Sequence, residues 1–229
     1  MKILGLLGGT SWVSTVDYYR FINQEINDKL GGVNAAHLLL HSFNYADIGK
    51  HLSVNDWDAV TDMMVKAGKG LRESGAEAIV LCANTMHLIA PAVEREVGLP
   101  VIHIAVATAK AINRAGIKTV ALLGTRFTME RDFFINKLKD AGIDALLPEK
   151  DDRDFIHQTL VEELGKGITK PETKERYLSI IENLRQQGAV GVILGCTEIP
   201  LLIQPADTAI IQFDTTRIHS SAAVEFALS

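Results

Sequence analysis

The chain has 229 residues, 47% of them hydrophobic and 22% charged, with a net charge of -5, which is enough apolar material for one large domain or two small ones. Its apolar runs are strand-length, well short of the roughly 20 residues that span a bilayer, and the first residues lack the charged, apolar and small-residue order of an export signal. An acidic balance without a Lys/Arg-rich run argues against nucleic acid and membrane surfaces as partners, so an acidic small molecule would have to be held by local groups.

Short apolar runs alternate with longer amphipathic stretches from end to end, the pattern of parallel sheets wrapped by helices. In chain order, strands are expected in "KILGLLG" from Lys2, "AHLLLHS" from Ala36, "EAIVLC" from Glu77, "VIHI" from Val101, "TVALLG" from Thr119, "GVILGC" from Gly191 and "TAIIQF" from Thr208. Helices are expected over residues 16–30, 57–74, 106–115, 129–141, 174–187 and 219–228, several ending at glycine, as at Gly75 and Gly116. Pro91 cannot sit deep in a helix, so "NTMHLIA" reads as a short turn with the main helix starting near Pro91.

An internal repeat organises the chain. "MKILGLLGGT" from Met1 matches "IKTVALLGTR" from Ile117, and "GAEAIVLCANT" from Gly75 matches "GAVGVILGCTE" from Gly188. Gly8 to Gly124 is 116 positions and Gly75 to Gly188 is 113, so the two matches keep nearly one spacing. The expected fold is α/β, with two similar parallel-sheet domains related by pseudo-twofold symmetry and an active site in the cleft between them. Residues 1–104 with about 208–229 would form the first domain, and 105–207 the second.

Both cysteines fall at the end of a strand in this repeat, Cys82 in "VLCANTMH" and Cys196 in "ILGCTEIP". Only two thiols and no export signal point to free thiols in the cytoplasm. Asn84 and Thr85 in one half, and Thr197 in the other, read as helix-capping residues, so each thiol would sit at a helix N-terminus that lowers its pKa. Cys82 lies seven residues after Gly75 and Cys196 eight after Gly188. That slip would turn the side chains to opposite faces of regular strands, so the adjoining turn is expected to absorb it. Two opposed thiols, one base and one acid, suit removal of a proton from one face of a carbon and its return to the other. Acid-base catalysis alone gives about 100- to 10,000-fold, so aimed N-H and hydroxyl groups must stabilise the developing charge. Ser11, Asn84, Thr85, Thr125, Thr128 and Thr197 supply them.

The stretches "GLLGGTSW", "CANTMH", "LLGTRFTME" and "GCTEIPLL" resemble those of the aspartate/glutamate racemase family, cofactor-independent amino-acid racemases, and in particular its enteric broad-specificity branch. The resemblance runs along essentially the whole chain. It implies a PLP-independent, two-cysteine enzyme with no cofactor, acting on aspartate, glutamate or a broader range of amino acids, usually as a homodimer. It maps the catalytic pair onto Cys82 and Cys196, and substrate contacts onto Asn84, Thr85, Thr197, Thr125 and Thr128. Gly9 and Thr10 fall in the family's first loop, where methionine often stands in place of Thr10. Relatives with one cysteine replaced can be stereochemically one-sided.

Other readings are a hydantoin racemase, a maleate isomerase or a single-thiol malonate decarboxylase of the same superfamily. A binding module without catalysis and a redox switch are further ones. Lys50, His51 and Lys166 are the cations available for a second substrate carboxylate, though each reads as a solvated surface charge. His87 and His103 read as hydrogen-bonded structural histidines, and Trp12 and Trp57 as packing residues. "GLLGGTS" is not a dinucleotide fingerprint, and no His/Cys spacing suggests zinc.

Overall fold

A computed structural model describes residues 1–229. The chain divides into two units, Met1–His103 with His219–Ser229, and Ile104–Ile218. Each is a parallel sheet with helices.

In the first unit the strands β1 (Leu4–Gly8), β2 (Leu38–Ser42) and β3 (Ala78–Leu81) form a three-stranded sheet in the order β2-β1-β3. Its helices are α1 (Trp12–Leu30), α2 (Tyr45–Ser53), α3 (Trp57–Glu73) and α4 (Ala90–Val97). Alternate residues of β3 serve two cores, as the period of two in a strand requires. Ile79 and Leu81 join Leu7, Val60, Met64 and Val93, whereas Val80 joins Leu4, Leu6, Tyr18, Ile22, Ala223 and Val224. Full burial of each large apolar side chain contributes about 1.5–3 kcal/mol. Helix α1 starts earlier than its apolar periodicity suggests, because Ser11 caps it, accepting a hydrogen bond from the Ser14 N-H. The stretch after Cys82 is a 3-10 turn over Thr85–Ile89 followed by α4, with Pro91 in its first turn, where a missing N-H costs least.

The second unit holds α5 (Ile104–Arg114), β4 (Thr119–Gly124), α6 (Arg126–Glu130), α7 (Asp132–Asp140), β5 (Asp144–Leu146), α8 (Lys150–Glu162), α9 (Pro171–Gln186), β6 (Gly191–Gly195), α10 (Ile199–Leu202) and β7 (Ile211–Asp214). Its four-stranded sheet runs β5-β4-β6-β7, over one core that includes Leu122, Phe134, Tyr177, Ile193 and Phe213. The last helix, α11 (Thr215–Ala227), crosses the division at His219.

The return to the first unit therefore comes later than residue 208. Strand β7 pairs with β6, Ile211 opposite Gly191, so the segment expected to rejoin the first half extends the second sheet instead. The apolar run "VIHI" is no strand either. Val101 makes a single bridge to Ile79, and α5 begins at Ile104. Trp57 packs against its unit's core, but Trp12 is 72% exposed, contrary to the packing role expected of it.

Candidate active site

The segments that follow β1, β3, β4 and β6 hold the site residues expected from sequence. In the first unit, β1 leads into Gly8, Gly9 and Thr10. Gly9 has φ +79, and a Cβ there would collide with the Phe43 backbone, so glycine is a steric requirement of the turn. Its N-H donates to Thr15 Oγ1 at 2.8 Å, and Thr15 Oγ1 donates in turn to the Ser11 carbonyl. Ser11 is occupied as a helix cap. Thr10 is buried, and its hydroxyl finds no partner in the protein.

Beyond β3, Cys82 is fully buried, its N-H donating to the Leu7 carbonyl at 3.0 Å and its Sγ to Val80 O at 3.7 Å. It packs in the core of Leu4, Leu6, Tyr18 and Val80. Burial pushes its thiol far above the ordinary range. Ala83, the next residue, is partly exposed and packs on the other core. Asn84 is buried and Thr85 opens the 3-10 turn, with no side-chain cap at Asn84.

His87 in that turn is buried, its ring 4.7 Å from that of His103 and 5.2 Å from that of His219, between centroids. His219 is fixed on both sides: Tyr18 OH donates to Nδ1 at 2.8 Å and Nε2 donates to Ile102 O at 2.6 Å. Burial, then the His219 and His103 rings, hold His87 well below the ordinary histidine range, and burial brings His219 down to about 4. Neither ring nitrogen of His87 has a hydrogen-bond partner, against the hydrogen-bonded role expected of it, and His219 carries no sequence signal of its own.

In the second unit, Thr125 caps α6, its Oγ1 accepting the Thr128 N-H at 3.3 Å and lying 3.2 Å from Thr128 Oγ1. Thr128 is fully buried. Its methyl lies 3.1 to 3.2 Å from where a Cβ on Gly124 or Gly195 would stand, so the two glycines make room for it. Beyond β6, Cys196 is partly buried and donates its thiol hydrogen to Glu198 Oε2 at 3.0 Å. Thr197 Oγ1 donates to the same oxygen at 2.7 Å. Glu198 is 6% exposed, and the "CTE" spacing was the sequence signal that could have found it. Burial, then the charge and hydrogen bond of Glu198, raises the Cys196 thiol well above its ordinary range.

Two expectations change. Neither thiol ends up lowered: at Cys82 burial is the one cause and it raises the thiol, and at Cys196 the Thr197 and Glu198 N-H groups pull the thiol down but burial and the Glu198 carboxylate outweigh them. The turn also fails to absorb the one-residue slip. Leu81 pairs with Leu7, and Leu194 with Leu123, which preserves the Gly75 to Gly188 offset of 113 to the strand ends. Both cysteines are free thiols.

Lys50 pairs with Asp47 at 3.1 Å, His51 with Asp56 at 2.9 Å, and Lys166 is exposed. None is drawn toward the cysteine loops by these contacts. No group of three or more His, Cys, Asp or Glu side chains is placed to hold a metal ion, and no helix is long and apolar enough to cross a membrane.

The pattern of the Asp/Glu/Hydantoin racemase family matches residues 7–223, from the end of β1 to well inside α11. The chain belongs to that family. The crystal structure of "a putative Asp/Glu Racemase from Yersinia pestis" is 43% identical over the whole of both chains, with a TM-score of 0.94. An aspartate racemase homologue from Pyrococcus horikoshii OT3 is 34% identical, again over both whole chains, at 0.87. The broad specificity amino-acid racemase RacX of Bacillus subtilis is 23% identical across 99% of each chain. Glutamate racemase 3 of Caldanaerobacter subterraneus subsp. tengcongensis is 25% identical over 62% of this chain, which spans only half of that protein. With the family shown, the strand-end loops are where its chemistry is sought.

Proposed function

We propose that the protein is an amino-acid racemase that needs no cofactor, exchanging the Cα proton of aspartate, glutamate or a broader set of amino acids. The observation that carries the reading is the Cys196-Glu198 pair, a partly exposed thiol hydrogen-bonded at 3.0 Å to a buried carboxylate at the end of a central strand.

The pair explains how a thiol with a raised pKa becomes a base. Transfer of the Cys196 proton to Glu198 gives a thiolate and a carboxylic acid, so no second negative charge stays beside the sulfur. The thiolate then takes the Cα proton, forming S-H and leaving a carbanion delocalised into the substrate carboxylate. Acid-base exchange of this kind supplies about 100- to 10,000-fold, and preorganised donors supply more. Thr10, whose buried hydroxyl has no partner, is one donor; Asn84, Thr85 and Thr125 are the others, while the Thr197 hydroxyl, which donates to Glu198 Oε2, holds that carboxylate beside the sulfur. Gly9 and Ser11 shape the first loop, and Thr128 supports Thr125. A homodimer completes the reading on the family resemblance alone, and a cytoplasmic location on the two free thiols.

The test is incubation with L-aspartate, L-glutamate and a panel of neutral L-amino acids in deuterium oxide without added cofactor, read by chiral chromatography and proton NMR. Deuterium at Cα with one or more substrates is expected, lost by at least about 100-fold in Cys196→Ser. No deuterium and no D-isomer across the panel refutes the proposal.

A further inference from the structure

We propose, on the racemase reading just given, that the protein works with one thiol. Cys82 is a core residue, and Ala83 holds the position in the first unit that Cys196 holds in the second.

Strand register carries the inference. The repeat can be followed bond by bond. Gly75 and Gly188 share a left-handed φ of +103 and +110. Ala76 N-H donates to Leu71 O and Ala189 N-H to Leu184 O, each at 3.0 Å. Glu77 N-H donates to Ile3 O, and Val190 N-H to Thr119 O. Leu81 then stands opposite Leu7, and Leu194 opposite Leu123. One offset of 113 relates every pair from Gly75 to Leu194. Continued by one residue it relates Cys82 to Gly195, and by two it relates Ala83 to Cys196.

Side-chain surroundings agree. A Cβ on Gly195 would lie 2.6 Å from Leu123 O and 3.2 Å from the Thr128 methyl, so that strand position faces packed protein. Cys82 faces packed protein too, with 0% exposure and only Val80 O as a hydrogen-bond acceptor. Ala83 and Cys196 are both partly exposed, and each is followed by a buried polar residue, Asn84 and Thr197. Cys196 also has a carboxylate partner; the acceptor at Cys82 is a backbone carbonyl with no proton-accepting role.

A single thiol exchanges protons on one face of Cα. Once Cys196 thiolate has taken the proton, return of a hydrogen from the same sulfur restores the starting enantiomer. Inversion needs water to protonate the carbanion from the face that no thiol serves. The hydroxide so formed takes the thiol proton, regenerating water and thiolate. Exchange with retention should therefore outrun inversion, by about 100-fold or more, the worth of one positioned acid.

Two measurements test this on the full-length protein. The first is iodoacetamide labelling with peptide mapping, on the native wild type and on Ala83→Cys. Cys196 and the thiol introduced at position 83 are expected to label, and Cys82 to stay protected until denaturation. Labelling of native Cys82 ahead of the introduced thiol overturns the proposal, and this readout needs no substrate, so it stands even if no amino acid is turned over and the racemase reading fails. The second is Cα exchange against inversion in deuterium oxide. Cys82→Ala, and Cys82→Ser whose hydroxyl can still donate to Val80 O, should keep both rates, while Ala83→Cys raises inversion relative to exchange by about tenfold or more. Loss of exchange in either Cys82 variant, with circular dichroism and unfolding unchanged, overturns it.

Discussion

Glu198→Gln keeps the shape of the Cys196 partner and removes its charge. The Cys196 Sγ to Glu198 Oε2 distance is 3.0 Å. At an effective dielectric constant of about 20, a thiolate and a carboxylate that close repel by ~5 kcal/mol. Cys196 is partly exposed, so solvent screens much of this; if a quarter survives, ~1.3 kcal/mol remains, close to a tenfold change in an equilibrium constant. The sign follows from the charge. Burial raises the thiol in both proteins and Gln Oε1 can still accept from the S-H form, but only the wild type adds a like charge. The variant should carry about tenfold more thiolate at a given pH between 7 and 9. Stopped-time alkylation of Cys196 by iodoacetamide across that range reads it directly, as a faster rate and a pH midpoint moved downward. Turnover should move the other way, with kcat lowered and KM little changed, because the proton acceptor is gone. Alkylation that is unchanged or slower in the variant refutes the account of the pair.

The buried histidines predict an acid-labile first unit. His219 is held down to about 4, against about 6.5 in an unfolded chain, so the unfolded state binds the proton first and stability falls as pH drops from 6.5 toward 4. The loss is about 3 kcal/mol for His219 alone, with His87 shifted in the same direction. Urea titrations at pH 7 and 5 followed by tryptophan fluorescence check it, since Trp12 and Trp57 both lie in that unit; equal midpoints would contradict it. Gly195→Ala should destabilise the second unit by about 1–3 kcal/mol, because its Cβ meets the Leu123 carbonyl and the Thr128 methyl. Thermal unfolding by calorimetry measures this, and an unchanged transition would show that the sheet gives way without strain.

Much of the fold was legible because its signals are local. Runs such as "TVALLG" and "GVILGC" are buried on both faces, and parallel sheets need that continuous apolar character. Strand β5 has only three residues, too few for a periodic signal, and α8 opens on a run of charges that hides its apolar stripe. "VIHI" has strand composition, yet the hydrogen bonds of Ile79 to the Pro100 and Ile102 backbone use up its pairing at one residue. At the site, the loops were legible because glycine, threonine and cysteine cluster there. Which side chain faces the core was not, since a one-residue slip reverses faces and only the ladder of Leu81 on Leu7 and Leu194 on Leu123 resolves it. The role of Glu198 rests on its burial and its two donors, Cys196 Sγ and Thr197 Oγ1, and neither is written in the sequence.

Helix α11 brings His219, Ala223, Val224 and Ala227 to the core that Leu4, Leu6 and Tyr18 begin, and Lys2 N-H bonds to Ala227 O at 2.8 Å. A nascent chain emerging from the ribosome as far as Ile218 has every residue of the second unit, an uninterrupted segment. Its first unit still lacks the partner of Tyr18 and one wall of its core. Synthesis order is thus the reverse of completion order: the half begun first waits for residues 219–229 to close its core.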